Sequence, residues 1–192
     1  MAMLTVGNNK SEDISDNWCY LVRRDDSEII NIMDILKKHE KLVIIYNSRT
    51  WNIRCIHLDT LSMYIDNIHT LDLSSNNING YCKSKSILHL GSVLAYNKSL
   101  VKLNLSCNNL FDNMMKVILK SLVTNTCLEY LDLSSNNIGC MGAEMISHLN
   151  GLQYNNTLVT ILLNNNKIDI NGITALDYAR KNGLKNLINI KY

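Results

Sequence analysis

The stretch Leu128-Glu129-Tyr130-Leu131-Asp132-Leu133-Ser134-Ser135-Asn136-Asn137-Ile138 decides the fold. In Leu131-Asp132-Leu133 apolar and polar residues alternate with period two, which sends the two leucines to one face of an extended strand and the aspartate to the other. The same line recurs as Ile68–Ile78, Leu100–Leu110 and Leu158–Ile168, so that Asn76, Asn108, Asn136 and Asn166 follow one another at intervals of 32, 28 and 30 residues. A single line of this kind would mean little. Four in register are an internal repeat.

Between the lines the apolar spacing changes to three and four, as in Ile118, Leu119 and Leu122 or Met145, Ile146 and Leu149. That is the helical period. A strand and a helix that are each apolar on one side must pack face to face, and one such unit is too small to bury its apolar side alone. The units therefore stack. The expected fold is an α/β solenoid with a curved parallel β-sheet on the concave side and α-helices on the convex side. A chain turning out of a buried strand leaves backbone N–H and C=O groups that an amide side chain can satisfy. Asn76, Asn108, Asn136 and Asn166 are accordingly expected to form a structural ladder.

The 28 to 32 residue spacing, the Leu-Asp-Leu-Ser-Ser-Asn-Asn-Ile lines and a further Asn three residues before each following Leu (Asn97, Asn125, Asn155) resemble the ribonuclease-inhibitor-like class of leucine-rich repeats. That class includes ribonuclease inhibitor, the Ran GTPase-activating protein, tropomodulin's C-terminal domain and the sensor regions of intracellular immune receptors. The resemblance runs from about Ile68 to the C-terminus. It implies a solenoid that holds other proteins on its concave sheet without chemistry of its own. Similarity to the Ran GTPase-activating protein or to tropomodulin repeats implies, as the alternative, a regulator of a small GTPase or of the actin cytoskeleton.

Terminal repeats expose an apolar face unless they are capped. Residues 1–17 are expected to be a flexible N-terminal segment, 18–66 an N-terminal cap with degenerate repeats, and 67–192 about four repeats closed by a C-terminal capping helix. Within the cap, Trp18 to Val22 and Leu42 to Tyr46 read as strands. Ser27 can cap a helix from about Glu28 to His39, and Ile53 to Leu61 imitates the repeat line with Leu61 in place of Asn. Near the other end, Asp169 to Gly183 is similar to the first helix and turn of an ankyrin repeat. Shifted by thirty residues it also overlays the preceding unit, Gly172 on Gly142, Leu176 on Ile146 and Ala179 on Leu149.

The strand residues pointing away from the core form three columns: Thr70, Lys102, Tyr130 and Thr160; Asp72, Asn104, Asp132 and Leu162; Ser74, Ser106, Ser134 and Asn164. These twelve are the expected protein-binding positions, with Tyr130 as anchor and Lys102 beside it, because aromatic residues dominate binding energies at interfaces. Asp72 and Asp132, two strands apart, would have their backbones roughly 10 Å from each other. That approaches the carboxylate separation of inverting glycosidases. However, Leu-Asp-Leu is ordinary in such repeats, and neither a Gly-rich phosphate cradle nor a nucleophile elbow accompanies it. No catalytic residue is expected.

Composition sets the remaining limits. The 192 residues are 46% hydrophobic and 19% charged, with no Pro and 28 Asn, and the formal net charge is +2. Such balance argues against a nucleic-acid partner. No apolar run approaches the ~18 residues of a membrane span, and no secretory signal opens the chain. Six cysteines without a C-x-x-C pair and five scattered histidines predict reduced thiols, no metal site and no cofactor. The expected protein is cytoplasmic and monomeric, with a protein partner. Asn97-Lys98-Ser99 and Asn155-Asn156-Thr157 match the glycosylation sequon, a chance product of so many asparagines.

Overall fold

The computed structural model describes residues 18–22, 41–45, 68–76, 78, 85–147, 152–182 and 189–192. Two five-residue strands come first, β1 (Trp18–Val22) and β2 (Lys41–Ile45). Then strands and helices alternate: β3 (Thr70–Asp72), α1 (Lys85–Tyr96), β4 (Lys102–Asn104), α2 (Asp112–Thr124), β5 (Tyr130–Asp132), α3 (Cys140–Ser147), a short 3-10 turn (Leu152–Tyr154), β6 (Thr160–Leu162), α4 (Ile170–Asn182) and β7 (Asn189–Lys191). The seven strands form one sheet in sequence order, and every neighbouring pair is parallel. The fold is an α/β repeat solenoid.

Parallel strands lie ~4.8 Å apart whereas packed helices need ~8–10 Å, so stacking strand–helix units bends the array with its sheet on the inner side. The core fills the space between the two layers. Leu71, Leu73, Leu103, Leu105, Leu131, Leu133, Ile161 and Leu163 from the strand lines are all buried, against Leu90, Leu94, Ile118, Leu122, Ile146 and Leu176 from the helices. Each buried leucine or isoleucine contributes roughly 1.5–3 kcal/mol of transfer free energy. Helices in adjacent units meet at glycines. A Cβ on Gly91 would lie 2.6 Å from Val117 Cγ1, and one on Gly142 would lie 2.7 Å from Asp112 Oδ1.

Two expectations about the ends change here. The helix expected to close the chain is present as α4, in the repeat phase, with Gly172 packed 3.1 Å (as a notional Cβ) from Ala143 Cβ of α3. It does not end the solenoid, because β7 follows and pairs with β6. A parallel strand after the helix is repeat topology and not the second helix of an ankyrin unit. At the other end β1 and β2 occupy the expected positions and extend the sheet from β3. The helix expected over 28–39, the degenerate line at 53–61 and the segment 1–17 lie outside the described residues.

Strands β3 to β6 leave the sheet through a residue in the left-handed region, Ser75, Cys107, Ser135 and Asn165, at φ of 58°, 57°, 54° and 56°. For a residue with a Cβ this conformation costs about 1 kcal/mol or more. The residue that follows is in every case a ladder asparagine.

Candidate functional site

The strand exits are built around the first asparagine row. Asn108 Oδ1 accepts from the N–H groups of Asn76 and Ile78 at 2.9 and 3.2 Å, one repeat earlier. Its Nδ2 donates to the carbonyls of Leu73, Leu105 and Ser106. Asn136 repeats the arrangement on Asn108, Leu110, Leu105, Leu133 and Ser134. Asn166 accepts from Ile138 and donates to Leu133 and Leu163. These side chains are committed to the backbone and face the turn, so they belong to the scaffold.

A second row stands at the strand entries. Asn97, Asn125 and Asn155 are 5%, 2% and 5% exposed. Each Oδ1 accepts from the N–H groups two and three residues on: Ser99 and Leu100, Cys127 and Leu128, Thr157 and Leu158. Asn125 and Asn155 also donate to Leu94 and Leu122 carbonyls of the preceding unit, both at 2.7 Å. This explains the sequon matches. The Ser or Thr two residues after the asparagine stands in the same turn; Ser99 Oγ donates to Ile68 O and the matching Cys127 Sγ to Asn97 O of the preceding unit, while Thr157 Oγ1 donates to Asn155 Oδ1. In Asn155 both the oxygen and the nitrogen of the buried amide are engaged, which disfavours a glycan there in the folded chain.

The columns expected on the open face are found in register. Thr70 pairs with Lys102, Lys102 with Tyr130 and Tyr130 with Thr160, while Asp72, Asn104, Asp132 and Leu162 form the next column. All of these are half-buried except Lys102, which is exposed; Ser74, Ser106, Ser134 and Asn164 are half-buried too. The alternating leucines behind them are sealed. β7 lengthens both rows, setting Asn189 beside Thr160 and Lys191 beside Leu162.

All three polar residues of the Asp72 column have a backbone task that the sequence reading did not assign. Asp72, Asn104 and Asp132 each accept the N–H two residues on, from Ser74, Ser106 and Ser134, at 2.8, 2.9 and 2.8 Å. These are Asx turns, and the Asp-x-Ser or Asn-x-Ser pattern was a visible signal for them. Asn104 Nδ2 further donates to Asp72 Oδ2 at 3.1 Å, filling the second oxygen of that carboxylate. Asp132 takes both its bonds on Oδ1, from Ser134 N–H and from Ser134 Oγ at 2.6 Å. Its Oδ2 takes none. The two carboxylates weighed as a catalytic pair are thus strand-exit caps.

Tyr130 and Asp132 share the face of β5. Partial burial of the ring, and then the charge of Asp132, push the Tyr130 hydroxyl above its ordinary value, so it is neutral at physiological pH. Among the described residues Lys102 makes no ion pair, and the ion pair present is Arg180 to Asp177 at 3.5 Å on α4. Leu162 lies outside the core cluster and its side chain sits on the open face.

Elsewhere the exposed apolar side chains gather along the rims. Phe111, Met141 and Ile170 sit where successive helices begin, and Tyr96 and Tyr154 where they end. No sequence expectation covered them, since helix starts carry no period that marks exposure. At the C-terminal end Tyr192 donates to Asp177 at 2.7 Å, and that hydrogen bond raises the Tyr192 hydroxyl's pKa. Asp169 caps α4 through the Asn171 and Gly172 N–H groups; with the Cys140 thiol as the largest cause, its carboxyl is held below the usual range. Among the described residues no three His, Cys, Asp or Glu side chains gather as a metal site, and no helix is long and apolar enough to cross a membrane.

Comparison with known proteins agrees with this geometry. A family model described as Leucine Rich repeat matches residues 96–113 and 124–147, which contain β4, β5 and α3. Among solved structures the chain is similar to the leiomodin-1 actin-binding site 2, at a TM-score of 0.61 and 18% identity over 70% of this chain and 76% of that one. It is also similar to the Chaetomium Mex67:Mtr2 subunits, at a TM-score of 0.46 and 20% identity over 64% and 78%. No curated protein sequence matches.

Proposed function

Because the chain is a leucine-rich repeat protein, we propose that it is a non-enzymatic interaction module of the cytoplasm whose concave sheet face binds a partner protein. The observation that carries this reading is the register of β3 to β6, which lays two unbroken columns of half-exposed side chains across a face with no element packed over it among the described residues. Behind those columns lies a sealed apolar core, so the face can be altered without opening the fold. Tyr130 and its exposed neighbour Lys102 supply an aromatic anchor and a positive charge.

Actin is the first partner to test, since one similar structure is titled as an actin-binding site; at 18% identity that likeness speaks for the fold alone. The experiment compares wild type with a Lys102→Glu, Tyr130→Ala variant of matched circular dichroism and melting temperature. Partners from a lysate and purified filamentous actin are both offered. A protein held by wild type and lost by the variant supports the concave face. Equal capture by both moves the site to the rims, and acceleration of GTP hydrolysis by a small GTPase would support the regulator reading instead.

A further inference from the structure

We propose that the step between β5 and β6 on the concave face is a subsite for a cationic side chain of the partner, arginine in preference to lysine, seated between Asp132, Tyr130 and Leu162. This rests on the concave-face reading above and specifies its chemistry.

The argument starts from the two carboxylates of the Asp72 column. Both are turn caps, yet they are not equivalent. Asp72 has donors on both oxygens, Ser74 N–H on one and Asn104 Nδ2 on the other. The matching donor is missing beyond Asp132, because the next residue in the column is Leu162. Among the described residues Asp132 Oδ2 is therefore an open acceptor whose charge no side chain neutralises, and its neighbour on the next strand, ~4.8 Å along the sheet, is apolar. Two residues back on β5, its backbone about 7 Å away, is Tyr130.

An acidic oxygen, an aliphatic wall and an aromatic ring complement one kind of group, a cation on an apolar stem. A guanidinium fits better than an ammonium, since it donates in a plane and stacks on the tyrosine face while bonding the carboxylate. Cations flank the step on both sides, Lys102 beside Tyr130 on β4 and Lys191 beside Leu162 on β7, so a partner's cation is confined to the step between them, over Asp132.

The test selects binders from a random heptapeptide library on the folded wild-type protein, then measures each binder on Asp132→Asn, Leu162→Ala and Tyr130→Ala. Asp132→Asn isolates the charge, because Asn104 shows within this chain that an amide at the position keeps the same turn. It is expected to melt with wild type. The expected result is enrichment of Arg over Lys, about tenfold weaker binding on Asp132→Asn as for one lost charge-assisted hydrogen bond, and a smaller loss on Leu162→Ala. Binders that lack a cationic residue, or that are undiminished on Asp132→Asn, but fail on Tyr130→Ala would overturn the subsite and leave the concave face standing. Binders indifferent to all three substitutions, or a library with no binder, would overturn both.

Discussion

The two asparagine rows hold the solenoid at opposite ends of its strands, and they hold different things. Asn136, in the exit row, makes five hydrogen bonds, of which those to Asn108, Leu110 and Leu105 go to the preceding unit. Asn125, in the entry row, spends its oxygen on Cys127 and Leu128 of its own turn and reaches the preceding unit through Leu94 O. One residue type in one kind of buried position thus does two jobs. The exit row couples neighbouring units, whereas the entry row shapes the turn from helix to strand within a unit. In a stacked array stability is the sum of unit and interface terms, so the exit row belongs mainly to the interface term.

The largest expected effect comes from breaking that coupling. Asn136→Ala strands the two buried N–H donors of Asn108 and Leu110 and takes one of two donors from each of three carbonyls, and is expected to cost about 4 kcal/mol in urea denaturation. Asn136→Asp sharpens the point, because it keeps the acceptor and turns the other atom against three carbonyl oxygens. The carboxyl pKa is then raised in the folded state above ~4, so this variant is expected to regain stability as pH falls through that raised value, unlike wild type. Asn125→Ala should cost about 2 kcal/mol, since it releases three groups where Asn136→Ala releases five, and one of the three, the Cys127 N–H, is only part-buried and within reach of water. Equal losses at Asn125 and Asn136 in the same titration would show that the two rows are not distinct.

The same difference explains what was legible in the sequence. The Leu131-Asp132-Leu133 alternation fixes which side chains are buried, and equal spacing from each ladder asparagine fixes which residues stand side by side; hence Thr70, Lys102, Tyr130 and Thr160 were aligned before any coordinates. Hydrogen-bond partners are another matter. Asn125 and Asn136 look alike in the chain, and their roles depend on which backbone groups the stacked neighbour presents. The Asx turns at Asp72, Asn104 and Asp132 are readable from Ser two residues on, whereas the Leu-Asp-Leu alternation speaks only for the strand. Strand β7 escapes the pattern because Asn189-Ile190-Lys191 holds a single apolar residue of the alternation. The open oxygen of Asp132 is relational too, since it follows from Leu162 on the next strand.

A smaller effect tests the exit row from its strained side. Ser135 is held at φ 54° next to Asn136, with its N–H donated to Asn164 O at 2.8 Å. Ser135→Gly removes the Cβ clash of the left-handed region but adds freedom to the unfolded chain, so the expected gain is about 0.5 kcal/mol. Ser135→Val keeps the clash and adds branching, and is expected to lose about 1 kcal/mol or more. A loss on Ser135→Gly would mean that the serine side chain contributes to the turn.

The smallest effect concerns the entry row. Cys127 occupies the slot that Ser99 and Thr157 hold in the neighbouring units, two residues after the asparagine, and its thiol lies 3.3 Å from Asn97 O as the Ser99 hydroxyl lies 3.2 Å from Ile68 O. If the entry row asks only for a small donor at this point, Cys127→Ser should fall within about 0.5 kcal/mol of wild type, the stronger hydroxyl bond offsetting the poorer burial of a more polar atom. Cys127→Val keeps the size and removes the donor, leaving Asn97 O without that partner, and should lose about 1 kcal/mol. Thermal melts of the two variants side by side decide it. Loss on Ser with none on Val would make Cys127 a packing residue and reduce the entry row to the asparagines themselves.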